Sequence, residues 1–182
     1  MNICTISLEN GKFLWRHNNI VNYVLQCLDP TKYRVYSDLP GYTIGAGSVP
    51  PEICITTQKP DIVILDDKQK IIHIFELTVP LEHNIEQRHT EKANKYAHFT
   101  TDCTGYNCNV TAFEIGSRGY VSTRNHSALY SLHKFTKPGI KLRKFKENIS
   151  ALAVYSSYHI FITRNEEAFH EPPFLLPPFN HL

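Results

Sequence analysis

No apolar run in these 182 residues is long enough to cross a membrane, which takes about 20 consecutive apolar residues. The N-terminus lacks the basic, apolar and small-residue succession of a secretory signal. The expectation is therefore an intracellular chain, nuclear or cytoplasmic, with no membrane partner. No internal repeat or long low-complexity tract is present, so a solenoid or a biased linker is excluded. Cysteines are few and odd in number: Cys4, Cys27, Cys54, Cys103 and Cys108. They form no disulfide framework and read as free thiols in a reducing compartment. Cys103 and Cys108 lack two further well-placed ligands, which leaves zinc the lesser reading there. Net charge is only +2, so the overall balance does not announce nucleic acid. The ten histidines add positive charge only below about pH 6.5. The length fits one domain with a real core.

What is there centres on Lys59 to Tyr96. Lys59-Pro60-Asp61 opens an apolar run, Asp67 to Lys70 is polar, and a second apolar run carries Glu76-Leu77-Thr78 near its end. This pattern predicts a β-hairpin. If Asp66 faces Ile71, then Asp61 lies opposite Glu76, with Cβ atoms about 5 Å apart. Asp61, Val63, Leu65, Ile72, Ile74, Glu76 and Thr78 then share one face. Ile62, Ile64, His73, Phe75, Leu77 and Val79 share the other. Two carboxylates so close in apolar surroundings repel unless a cation sits between them. A hard cation such as Mg²⁺ uses one or two carboxylates plus waters. The pair reads either as a metal site or as two strand-end acids facing solvent, and a register slip of one residue favours the second.

Upstream, Ile20, Val24 and Leu28 recur at helical spacing, predicting a helix from Arg16 to Leu28 stopped by Asp29-Pro30. Trp15 reads as a core anchor, and residues 1–12 as a lead-in. Tyr33 to Asp38 suits a short strand, and Leu39 to Pro51 a Gly- and Pro-rich loop. Glu52, between that loop and the hairpin, is either a third metal ligand or a loop acid. After Pro80 the pattern predicts a helix to about Phe99, with Leu81, Ile85, Tyr96 and Phe99 as its inward stripe. Arg88 and Lys92 fall inside that stripe, with Glu91 and Lys95 beside it. Lys92 either reaches the acidic pair to balance its charge, or lays its stem on the core and sends its head to water.

Cys108 to Ile115 reads as a strand with Val110, Ala112 and Phe113 inward. Gly116-Ser117-Arg118-Gly119 turns the chain, and Arg118 either holds a phosphate or pairs with an acid. A helix follows from Thr123 to Phe135, capped by Ser122, and another from Ile140 to Asn165. Between Lys134 and Lys146 lie Lys134, Lys137, Lys141, Arg143, Lys144 and Lys146 with no acid. This local basic run suits either a phosphate backbone or a solvated helix face. Residues 166–182, rich in proline, read as a tail with little capacity for a core. The order helix, strand, hairpin, helix, strand gives an α/β fold of αβββαβ type with extra C-terminal helices. The domain spans residues 13–165.

Pro60-Asp61, fourteen residues and Glu76-x-Thr78 resemble the PD-(D/E)xK nuclease signature, with Thr78 where Lys is usual. More narrowly, the chain resembles the C-terminal restriction-enzyme-like endonuclease domain of non-LTR retrotransposons. The matching pieces are Trp15-Arg16-His17-Asn18-Asn19, Lys59-Pro60-Asp61, Glu76-Leu77-Thr78-Val79-Pro80, His89-x-x-Lys92 with Lys95-Tyr96, and Glu114-Ile115-Gly116-Ser117-Arg118-Gly119. They fall in order from Phe13 to Asn165.

The resemblance implies a mixed sheet and a nuclease that nicks target DNA. It implies Mg²⁺ or Mn²⁺ on Asp61 and Glu76, with Glu52 as a further acid, and no small-molecule organic cofactor. Thr78 is expected to hold a water at the metal, and Lys92 to balance charge. Arg88, Lys95, Arg118, Lys137, Lys141, Arg143 and Lys144 are the expected DNA contacts. The family's reverse transcriptase has no room in this chain, so it is expected on a longer chain or in trans. A nucleic-acid-binding remnant without turnover, or a relic without a role, are the competing expectations.

Overall fold

The computed structural model describes residues 11–51, 53, 59–95, 105–166 and 168–175, without the side chains of Ala93 and Lys95. Helix α1 (Lys12–Cys27) starts a turn earlier than the apolar spacing predicts. Long-range contacts account for the extra turn: Lys12 is fully buried, donates to the Thr163 carbonyl, and lies 5.6 Å from the centre of the Phe169 ring. The helix ends as expected at Leu28, just before Asp29-Pro30. Trp15 is 1% exposed, the anchor its position suggested.

Strands β1 (Arg34–Tyr36), β2 (Ile62–Asp66), β3 (Ile71–Thr78) and β4 (Asn107–Glu114) form one sheet in that order. The first two pairings are antiparallel and β3–β4 is parallel. The hairpin register is the expected one, from Ile62 opposite Phe75 to Asp66 opposite Ile71. Its turn is fixed by the Asp66 carboxylate, which accepts from the Lys68 and Gln69 N–H groups, and by Lys70 at φ 55°.

Both faces of the β2–β3 hairpin are dry. On one, Ile62, Ile64, Phe75, Leu77 and Phe113 pack against α1, α3 (Thr123–His133) and α4 (Leu142–Ile162) in a single cluster. On the other, Val63, Leu65, Ile72 and Ile74 meet Tyr36 and Ile53. Strand alternation puts Glu76, Thr78 and Glu114 at the end of this second face. There α2 (Ile85–Lys95) crosses, joined to it by Lys92 and His89. Of the β4 residues expected inward, Phe113 joins the first cluster, and Val110 packs against the second.

The segment after Pro80 differs from expectation. A 3₁₀ turn (Glu82–Asn84) comes first, so α2 begins only at Ile85. Leu81 is left outside the helix, 48% exposed. The inward positions become Ile85, His89 and Lys92. Arg88, expected inward, lies on the exposed side with its guanidinium on Glu91 at 2.7 Å. Tyr96 and Phe99 lie outside the described residues.

Ser122 caps α3 as expected, accepting from the Asn125 N–H. Helix α4 runs antiparallel to α1, joined by Arg16 to Ser157 at one end and Asn148 to Tyr23 at the other. The tail does more than its composition suggests. The Trp15 indole donates to the Pro172 carbonyl, the Leu175 N–H donates to Asn19, and Phe174 and Leu175 pack on the main core. No helix among the described residues is long and apolar enough to cross a membrane.

Candidate active site

The two hairpin carboxylates meet just beyond the last backbone pair of the β2–β3 ladder. The Asp61 N–H donates to Glu76 Oε1 at 3.2 Å, and the Leu77 N–H donates to Asp61 Oδ2 at 2.7 Å. Each carboxylate therefore takes the place of a ladder carbonyl and is fixed by the neighbouring strand. The Asp61 carbonyl accepts from the Ser37 hydroxyl at 2.6 Å, which ties the end of β1 to the same corner.

Glu76 is 1% exposed. An isolated carboxylate there would be costly, and the compensating cation is Lys92, whose Nζ donates to Glu76 Oε2 at 2.7 Å. The delayed start of α2 turns Lys92 onto the sheet. Asp61 has its own cation from α1. His17 Nε2 donates to Asp61 Oδ2 at 3.0 Å, and its Nδ1 faces Asn18 Oδ1 at 3.1 Å. With both ring nitrogens facing acceptors, the doubly protonated ring fits best. Burial pushes the His17 ring down and the Asp61 carboxyl up, but their hydrogen bond and mutual charge outweigh it. His17 consequently titrates above the ordinary imidazole value. Asp61, helped by the Leu77 N–H and the Lys92 charge, titrates below the ordinary carboxylate value.

A third carboxylate stands beside this pair. Glu114, opposite Thr78 in the parallel ladder, is 1% exposed, and its Oε1 lies 3.0 Å from His89 Nδ1. Its backbone is clamped to α3 by the Asn125 amide, which accepts from the Glu114 N–H and donates to the Glu114 carbonyl. Its Oε2 and the Thr78 hydroxyl are buried without a hydrogen-bond partner among the described residues. His89 and Lys92, one turn apart on α2, thus grip carboxylates on two adjacent strands.

The composition of the site suits a hard divalent cation. Asp61 Oδ1 has no hydrogen-bond partner among the described residues. No three His, Cys, Asp or Glu among them gather as a ready metal cage. Asp61 and Glu76 are the carboxylates that could hold such a cation, with water completing its shell. A cavity of about 180 Å³ beside Asp61, lined by His17, Asn18, Asp38 and Lys59 among others, gives access.

A scan against protein-family models and a search of curated proteins both find no match.

Of the sequence-derived candidates, the fold brings Asp61, Glu76, Thr78 and Lys92 together. Glu52 and the Lys95 side chain lie outside the described residues. The Arg118 side chain is 85% exposed, 3.9 Å from the Glu82 carboxylate. Lys137 donates to the Gln26 carbonyl, and Arg143 to Glu147. Lys141, Arg143 and Lys144 line a separate cavity at the start of α4. Sequence reasoning left His17, His89 and Glu114 without roles. The spacing of His89 and Lys92 was the available signal, since two residues three apart on a helix share a face. Glu114 carried no such signal, because its partner is reached only through the parallel pairing.

Proposed function

We propose that the chain is a metal-dependent DNA endonuclease domain with a PD-(D/E)xK core, similar to the restriction-enzyme-like domain of non-LTR retrotransposons. One observation carries the reading: Asp61 and Glu76 are interlocked on a dry sheet face, with the Lys92 ammonium on Glu76. The αβββαβ order supports it, as does the mixed sheet.

Asp61 and Glu76 would hold Mg²⁺ or Mn²⁺. When bound, the ion activates a water and neutralises charge on the scissile phosphate. Lys92 pairs with Glu76 and would place positive charge where the phosphate gains negative charge. The Thr78 hydroxyl, buried without a hydrogen-bond partner among the described residues, would orient a water. His17 holds one Asp61 oxygen and leaves the other open. Arg118, Lys137, Lys141, Arg143 and Lys144 would contact the DNA backbone, a role that gives affinity without sequence reading. A reverse transcriptase on a longer chain or in trans would use the nick, within the nucleus or cytoplasm.

A second reading, a nucleic-acid-binding domain without turnover, is favoured by one feature. Asp61 and Glu76 are already neutralised by His17 and Lys92, so the fold does not need a cation there. Nicking of supercoiled plasmid with Mg²⁺, Mn²⁺ or chelator, beside Asp61→Ala and Glu76→Ala, separates the two. The nuclease reading expects metal-dependent nicking lost by at least 100-fold in both variants. Folded protein that binds DNA without nicking it means the second reading, and nicking that survives both substitutions places the site elsewhere.

A further inference from the structure

Helix α4 buries Phe145, Ile149, Leu152, Ala153 and Ile160 along one side. Over its second half the other side is apolar too. Val154, Tyr155, Tyr158, Phe161 and Ile162 recur three and four residues apart, which sets them on one stripe, and they are from 43% to 61% exposed. No Lys, Arg, Asp or Glu falls between Asn148 and Ile162. Single exposed apolar residues are ordinary, but a helix apolar on opposite sides belongs in an interior. The Gly119 turn widens the patch, since its carbonyl accepts from Ser150 on α4 and Tyr120 beside it is 55% exposed.

The two ends of this stripe differ in charge. Before it stand Arg143 and Lys144, with Glu147 held on Arg143 at 2.7 Å. After it stands Glu166, exposed, while Arg164 is turned onto the Phe161 ring at 4.3 Å. The face is thus basic at one end, uncharged in the middle and acidic at the other. A nucleic-acid strand or an anionic membrane would be attracted at Arg143 and repelled at Glu166. Laid parallel on its own copy, the face would set like charges together. Laid antiparallel, it sets Arg143 of each copy opposite Glu166 of the other. The midpoint of that register falls between Val154 and Tyr155, so the two-fold axis passes through the apolar stripe and the contact is isologous. Position 158 then faces position 151, and the Tyr158 ring lies over Ala151, a residue small enough to admit it.

We propose that α4 pairs antiparallel with α4 of a second copy of this chain, about a two-fold axis beside Val154 and Tyr155. A contact made by one helix lies at the small end of interface sizes, so the dimer is reversible, mostly monomer below ~1 µM and mostly dimer above ~100 µM. The assignment uses neither Asp61 nor Glu76 and stands or falls apart from the nuclease reading. Arg143 and Lys144 are also the proposed DNA contacts, so the test is made without DNA.

The test is sedimentation equilibrium of the full chain at low salt, from ~1 to ~300 µM. The expected result is a monomer–dimer equilibrium within that range. Tyr158→Glu with Phe161→Glu, both at exposed positions, should weaken it at least ten-fold and leave the melting temperature of the dilute monomer unchanged. Arg143→Glu and Glu166→Lys, each as a separate protein, should weaken it at least three-fold, because each sets like charges together. An equimolar mixture of those two proteins should pair about as tightly as the unaltered chain, since every charge then meets its opposite. That mixture asks the same question should the aromatic variant not fold. A chain that stays monomeric throughout overturns the proposal, as does a dimer untouched by Tyr158→Glu with Phe161→Glu. A mixture no tighter than its components overturns the antiparallel register. A monomeric chain that binds vesicles of phosphatidylcholine and phosphatidylserine, and loses them in the aromatic variant, overturns the proposal in favour of a lipid surface.

Discussion

At the scale of single residues, Glu76 carries the most consequence. It sits in a dry interior because Lys92 accompanies it, and Lys92 itself is 25% exposed at its side chain. Removing one partner of such a pair leaves an uncompensated charge, which costs more than the pair contributes. Lys92→Met should therefore destabilise the fold by about 3 kcal/mol, read from urea denaturation. Lys92→Met combined with Glu76→Gln should recover much of that loss, and a double variant as unstable as the sum of the singles would deny the coupling.

His73 is a second residue with a readable sign. Burial, with Lys134 nearby and only partly opposed by Asp66, holds its ring below the ordinary imidazole value. The unfolded chain therefore takes up this proton more readily than the folded one. Stability should fall as pH drops below about 6.5, the unfolded value, until the folded ring also titrates. His73→Gln should flatten that part of the stability curve relative to the unaltered protein, and an identical slope in both would exclude His73 as a contributor.

At the scale of elements, the hairpin was legible and the helix after it was not. Alternation along residues 62–66 and 71–78 and the polar stretch between them fix the register. From that register the shared face of Asp61, Glu76 and Thr78 follows. The phase of α2 depends on a 3₁₀ turn that periodicity does not announce, and Arg88 and Leu81 moved to the surface with it. The early start of α1 is likewise set from a distance, by the Thr163 carbonyl and the Phe169 ring. The His89–Glu114 contact needed the parallel β3–β4 pairing, which only the resemblance had implied.

The turn after β4 belongs to this scale too. Gly119 has φ +84°, and a Cβ there would lie 2.7 Å from Ser150 Oγ, 2.9 Å from a Val154 methyl and 3.0 Å from the Ser150 carbonyl oxygen. Both the backbone conformation and the close approach of α4 require glycine. Gly119→Ala should cost about 1–3 kcal/mol, seen as a lower melting temperature. A variant that melts with the unaltered protein would mean that the turn and α4 separate readily.

At the scale of the molecule, the order of elements was readable from patterning, and the two dry faces followed from apolar residues on both sides of the hairpin strands. Composition misjudged the end of the chain, because proline excludes regular structure without excluding contact. The segment from Phe169 to Leu175 is laid back along α1 through Trp15 and Asn19. Where the described chain enters and where it leaves, it is therefore moored to one helix, and that helix also presents His17 to Asp61. Tension applied at Lys12 or at Leu175 would thus be borne first by the helix beside the carboxylates.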